Sequence, residues 1–193
     1  MFWPQSTTNS EVKVRCGASA ITAVAEMVMK KVWVACVAGL ATAAWSAPAA
    51  AMYGDSEACA RGDTAVLVRV DGFKEREGTL RVQIYGSNPA DFLAKGKKLR
   101  RIDVPVAKTG RMEVCVALPA PGAYAVAVRH DMDGNGKSGW SDGGGFSRNP
   151  KLSLFHLKPS YNDVAIEVGR GVRPVDVRLL YRNGLSIGPA RES

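Results

Sequence analysis

The densest run of oxygen-bearing side chains in this sequence is His130-Asp131-Met132-Asp133-Gly134-Asn135-Gly136-Lys137-Ser138-Gly139-Trp140-Ser141-Asp142. Calcium is held by several oxygens drawn from carboxylates, side-chain amides and main-chain carbonyls, and a short loop can wrap them around one point. Counted from Asp131 as the first position of a twelve-residue calcium loop, Asp131, Asp133 and Asn135 stand at positions one, three and five. The Lys137 carbonyl falls at seven, Asp142 at twelve, and Gly136 at six, where the chain must turn sharply.

Three departures weigh against that chemistry. Asp142 is a shorter arm than the bidentate Glu usual at position twelve, and Ser138 holds a position that an apolar residue normally anchors. The flanks read as a strand and a glycine loop, which excludes the two-helix EF-hand as a fold. Asp, Asn and Gly are also the residues that turns use for their own geometry. The departures favour a plain structural loop, with calcium as the alternative.

The two histidines are His130 and His156. His130 adjoins Asp131, and Ser138, Ser141 and Ser147 lie nearby. None of these serines stands in the G-x-S-x-G context that exposes a nucleophile at a strand-to-helix turn. Residues 143–145 are glycines, but neither a lysine nor a helix start follows them as in a phosphate loop. No catalytic residue is assigned. The expectation is a protein that is not an enzyme, with an envelope hydrolase built on His130 and a nearby acid as the competing reading.

Charge offers a second lead. The chain carries 26 Lys and Arg against 18 Asp and Glu, a net charge of +8. The one dense basic cluster is Lys95, Lys97, Lys98, Arg100 and Arg101, a candidate for anions or an anionic surface. A solvated loop face is the commoner use of such a run. No aromatic residues interleave with it as a single-strand nucleic-acid binder requires, so nucleic acid is not an expected partner.

These residues must be positioned by a chain that begins with an address. Lys30 and Lys31 precede an uncharged run over 32–45, which ends in Ser46-Ala47-Pro48-Ala49-Ala50-Ala51. A basic start, a short apolar stretch and small residues at alternate positions make up a secretory signal peptide, so residues 1–51 read as a signal cleaved before Met52. Residues 1–26 are long for that role, and Met27 or Met29 would start a signal of ordinary length. The apolar run is shorter than the ~20 residues of a spanning helix, so no transmembrane segment is expected in the mature chain. The destination is the periplasm or the exterior. Cys59 and Cys115 then remain, and an even count in an oxidising compartment favours a disulfide between them.

Seven runs read as strands, over 64–70, 79–85, 99–106, 111–118, 123–130, 163–168 and 172–181. Leu80, Val82 and Ile84 alternate with Arg81 and Gln83, the mark of a sheet with one buried face. Short glycine- and proline-bearing turns separate the runs, and Asn88-Pro89 can start one helical turn. Strands about ten residues apart argue for an all-β sandwich. The expected organisation is a lead-in over 52–63, one seven-stranded β-sandwich over 64–182, and a polar tail over 183–193.

The stretch Leu118-Pro119-Ala120-Pro121-Gly122-Ala123-Tyr124-Ala125-Val126-Ala127-Val128-Arg129-His130-Asp131, followed by Asn135-Gly136-Lys137, resembles the bacterial domain-of-unknown-function family 2141. Gly145-Phe146-Ser147-Arg148-Asn149 and the closing strand fit the same family, and the likeness covers nearly all of 64–181. It implies export and a sandwich of the transthyretin-like or immunoglobulin-like kind, without implying an activity. The proline-glycine-tyrosine strand also looks like that of carboxypeptidase regulatory-type and collagen-adhesin B-type domains, a fold-level analogy only. Many relatives carry a further acidic residue where this chain has Ser138-Gly139-Trp140. The expectation is an exported, monomeric accessory or binding module of the cell envelope, its partner an envelope protein or surface.

Overall fold

The structure, a computed structural model, describes residues 51–190. Residues 1–50 and 191–193 lie outside it, and with them nearly all of the expected signal peptide and the alternative starts at Met27 and Met29. In chain order the strands are β1 (Met52–Gly54), β2 (Ala65–Asp71), β3 (Thr79–Tyr85), β4 (Arg100–Pro105), β5 (Met112–Ala117), β6 (Gly122–Asp131), β7 (Gly143–Phe146), β8 (Ala165–Val168), β9 (Val172–Arg178), β10 (Tyr181–Asn183) and β11 (Ser186–Gly188). Two short helices, α1 (Ser56–Arg61) and α2 (Tyr161–Val164), interrupt them. The described chain is thus predominantly β.

Period-two alternation places the core. Leu80, Val82 and Ile84 of β3 are fully buried, as are Val66, Val68 and Val70 of β2 and Val114 and Val116 of β5. The strands form a four-stranded sheet in the order β1-β5-β2-β9 and a five-stranded sheet in which β4-β3-β6 is continued by β7. β8 shares the far edge of β6, pairing with its first half while β7 pairs with its second. The pairings β1–β5 and β2–β9 are parallel and the others antiparallel. Inward side chains of both larger sheets meet in one apolar cluster, and β10–β11 is a separate hairpin. The sheets do not close into a barrel.

Every expected strand has a counterpart, but the described residues hold eleven strands in three sheets where seven strands were expected. The additional strands are short. β1 adds the lead-in to β5, and α1 follows it, so residues 52–63 are regular structure. The run over 163–168 begins as α2, because Asp163 Oδ2 accepts from the Ser160 N–H and hydroxyl and folds the chain into a turn first. The run over 172–181 divides into β9 and β10. The turn at Asn88 forms as read, with Asn88 Oδ1 accepting from the Ala90 N–H at 3.1 Å.

β7 is Gly-Gly-Gly-Phe, a composition that predicts a loop, yet it pairs as a strand. Its glycines serve close approach: a Cβ at Gly143 would strike the Tyr181 ring, and one at Gly145 would lie 2.7 Å from the Arg178 carbonyl oxygen. Leu180 pairs with Gly144 there, while Leu179 N–H donates to Asp71 O at 3.0 Å, so the segment after β9 joins the two larger sheets.

β6 is apolar on both faces. Val126 and Val128 enter the shared core, whereas Ala125 and Ala127 face outward beneath Tyr85, Tyr161 and Val164, flanked by Phe92, Leu93 and Phe146. Cys59 on α1 is bonded to Cys115 in β5, as the even cysteine count led us to expect.

Candidate functional site

β6 ends at Asp131, and the acidic loop leaves from there to return as β7. The carboxylates of Asp131, Asp133 and Asp142 come together, with one oxygen from each within 4.8 Å of the others. Asp131 is 1% exposed. Its Oδ2 accepts from the Gly136 N–H at 2.9 Å and from Arg129 at 2.9 Å, while its Oδ1 is buried without a partner. Asp142 accepts from the Met132 N–H at 3.2 Å through Oδ1 and from the Gly139 N–H at 2.8 Å through Oδ2. These bonds curl the loop and aim its carboxylates at one point.

Asn135 sits between its neighbours. Its N–H donates to Asp133 Oδ1 at 3.1 Å, its side-chain amide donates to Asp133 Oδ2, and its Oδ1 accepts from the Lys137 N–H at 2.7 Å. Three of the five sequence-assigned oxygen donors therefore converge as carboxylates, and Asn135 and Lys137 form the turn that joins them. Arg129 was not anticipated. It holds Asp131 and also donates to Ser138 Oγ at 3.0 Å, so Ser138 is tied back by a cation instead of an apolar anchor. The signal was available, since residues two apart on a strand share a face. Three carboxylates repel one another at this range, and Arg129 offsets part of that charge.

His130 points the other way, into the core, and is fully buried. Nδ1 lies 2.7 Å from the Tyr181 hydroxyl and Nε2 lies 2.8 Å from the Glu77 carbonyl oxygen. Because a carbonyl can only accept, Nε2 carries the proton and Nδ1 accepts from Tyr181. Tyr181 in turn accepts from the Lys74 N–H at 3.2 Å. His130 is thus used as a structural link, facing away from the Asp131 carboxylate. Ser147 is equally buried, its Oγ accepting from the Val126 N–H and donating to the Val164 carbonyl.

Burial pushes the Tyr181 hydroxyl up to about 12 from 10.0. A phenol whose folded value is raised contributes stability that is complete below its unfolded value and is lost as pH rises toward the folded one. The protein should therefore lose stability above pH 10.0, by roughly 1.4 kcal/mol per pH unit from this group. Denaturant midpoints taken between about pH 9 and pH 11.5 should fall more steeply than those of Tyr181→Phe. Parallel slopes would refute the assignment.

Three of the five cations in the basic cluster are held in ion pairs. Lys97 pairs with Asp91 at 3.7 Å, Arg100 with Asp55 at 2.6 Å, and Arg101 with Asp103. Lys95 and Lys98 are left without an ion pair among the described residues.

The fold and loop define a class: a predominantly β protein with an acidic turn at the end of its central strand. A family model for an uncharacterized protein conserved in bacteria, DUF2141, matches residues 68–176, and the chain belongs to that family. The match spans the acidic loop, the whole five-stranded sheet, and the four-stranded sheet apart from β1 and the ends of β2 and β9. No curated protein and no solved structure matches the chain.

Proposed function

We propose that the chain is an exported, non-catalytic accessory module of the bacterial cell envelope whose loop over 131–142 is ordered by calcium. Its two facing sheets correspond to a β-sandwich of the transthyretin-like or immunoglobulin-like kind. The observation that carries the calcium reading is Asp131 Oδ1, a buried carboxylate oxygen with no partner, in a cluster with two further carboxylates. A buried charged oxygen without a partner is costly, and a hard divalent cation supplies what it lacks. Arg129 competes for Asp131, so a weak site is expected, with Kd on the order of the 10⁻⁴–10⁻³ M of extracellular modules. Export rests on the signal-like segment before Met52. Among the described residues no helix is long and apolar enough to cross a membrane.

The test is made on protein recovered from the envelope fraction of cells expressing the whole chain, with Met52 expected at its N-terminus. At calcium about tenfold above Kd, binding to the native state adds about 1.4 kcal/mol, a rise in thermal midpoint of roughly 3–5 °C. Magnesium should give much less, because it needs a tighter octahedral set. Asp133→Asn, which keeps an oxygen for the Asn135 N–H, should abolish the rise, and so should Asp142→Asn, which keeps an acceptor for only one of the Met132 and Gly139 N–H groups. An unchanged midpoint at about 10 mM calcium, tenfold above the weakest Kd expected, would sink the calcium reading.

A further inference from the structure

The outer face of the five-stranded sheet carries a concavity of about 700 Å³, inside the roughly 300–1,000 Å³ range of small-molecule sites. Its floor is laid by Gln83 and Tyr85 of β3 and by Ala127 of β6. The small side chain at position 127 leaves the hollow, since larger residues at the outward positions of β6 would fill it. Leu93, Phe146, Leu152, Leu154 and Leu157 wall it with apolar surface. Trp140 stands at the rim, 74% exposed, with the Arg182 guanidinium 3.4 Å from its ring centroid. Leu157 is half exposed and Phe155, in the same segment, almost wholly so. Exposed apolar surface gathered around a hollow and rimmed by charge marks a binding surface more often than chance does.

The rim decides what binds. Lys95, Lys98 and Lys158 line the groove, and none has an ion pair among the described residues. Neighbouring Lys97, Arg100 and Arg101, which lie outside it, are all paired. Asp142 is the one carboxylate in the lining, and both its oxygens already accept backbone N–H groups. An apolar hollow with unpaired cations complements a ligand that is apolar along its body and anionic at its end. We propose that this groove binds a single anionic amphiphile, with an acyl chain or similar apolar body against Ala127, Phe146 and the leucines. Its carboxylate or phosphate is held by the rim lysines. Ala127, Phe146, the leucines and the rim lysines all lie outside the acidic loop, which adds Ser138, Gly139, Trp140 and Asp142 to the lining, so binding is expected without calcium as well.

The experiment is calorimetric titration of the exported protein in chelator, with dodecanoate kept below its micellar concentration. Saturable one-to-one binding is expected. Dodecyltrimethylammonium, which has the same chain and the opposite charge, should bind at least roughly tenfold more weakly. The triple variant Lys95→Gln, Lys98→Gln, Lys158→Gln changes only lysines that make no ion pair. It should keep its thermal midpoint and lose roughly tenfold or more in dodecanoate affinity. Ala127→Leu should block binding by filling the floor. The proposal is overturned if dodecanoate gives no saturable heat, or if both amphiphiles bind alike. It is also overturned if the lysine variant binds as the wild type does, or if inorganic phosphate displaces dodecanoate, which would make the site one for small anions.

Discussion

Replacing Cys59 and Cys115 together by alanine is expected to lower unfolding free energy by about 4 kcal/mol. The bridge spans 56 residues of sequence, and the chain-entropy model gives a loop of that length about 4 kcal/mol. A domain of ordinary stability has only about 5–15 kcal/mol in all. The loss is concentrated where the other restraints are few. The segment before β2 is held by three β1–β5 residue pairs, by Asp55 accepting from the Ala117 N–H at 2.9 Å, and by the Arg100–Asp55 pair. Cys115 is fully buried and packs against Ala58 and Ala65, and alanine there leaves little void and no stranded polar atom. Denaturant unfolding of the wild type, with and without reductant, should reproduce the difference. A change below about 1 kcal/mol would mean that residues 52–63 fray independently of the two sheets.

The second large effect is expected at Gly78, which has φ +74°, a conformation that a side chain strains. The added Cβ would collide with the Asp131 carbonyl oxygen and lie 2.7 Å from that of Met132. Both obstacles are backbone and belong to the point where the acidic loop leaves β6. Nothing flexible can yield, so Gly78→Ala should cost about 3 kcal/mol or more. It should also displace Asp131 and weaken the calcium response. Gly110 is the control: its φ is also +74°, yet a Cβ there meets nothing within 4 Å. Gly110→Ala should cost only about 1 kcal/mol, the conformational penalty alone. Equal denaturant midpoints for the two variants would refute the crowding argument.

A mature protein losing its disulfide and one losing Gly78 should fail differently. The first loosens the N-terminal segment against β5, far in sequence from the acidic loop. The second acts on the loop's own root, so calcium titration separates them. This contrast links the stability of the sheets to the proposed ion site through one backbone contact, between Gly78 and the end of β6.

Much of the sheet structure was legible from local pattern. Leu80, Val82 and Ile84 declare their shared face because a strand's side chains alternate whatever lies opposite, and all three are buried. The acidic spacing from Asp131 to Asp142 was also legible, because the turn is built from hydrogen bonds only a few residues apart. The pairing of Cys59 with Cys115 followed from there being two cysteines after residue 51. The family was readable from one continuous run ending at Asp131, since β6 and its flanking turns are contiguous.

What the sequence could not determine depends on neighbours distant along the chain. Glycines 143–145 look like a loop until Tyr181 and Arg178 are packed against Gly143 and Gly145, where only hydrogen fits. Five closely spaced cations read alike along the chain, and only the fold brings Asp55, Asp91 and Asp103 to pair three of them. His130 beside Asp131 looks like a catalytic pair, but successive strand residues face opposite ways, and burial commits His130 to Tyr181 and Glu77. The groove is the furthest from local pattern, since its floor, walls and rim come from strands and loops spread between Gln83 and Ile187. Periodicity and spacing record which residues share a face of one element. Only tertiary packing decides which faces meet, which charges are already paired, and where space is left between them.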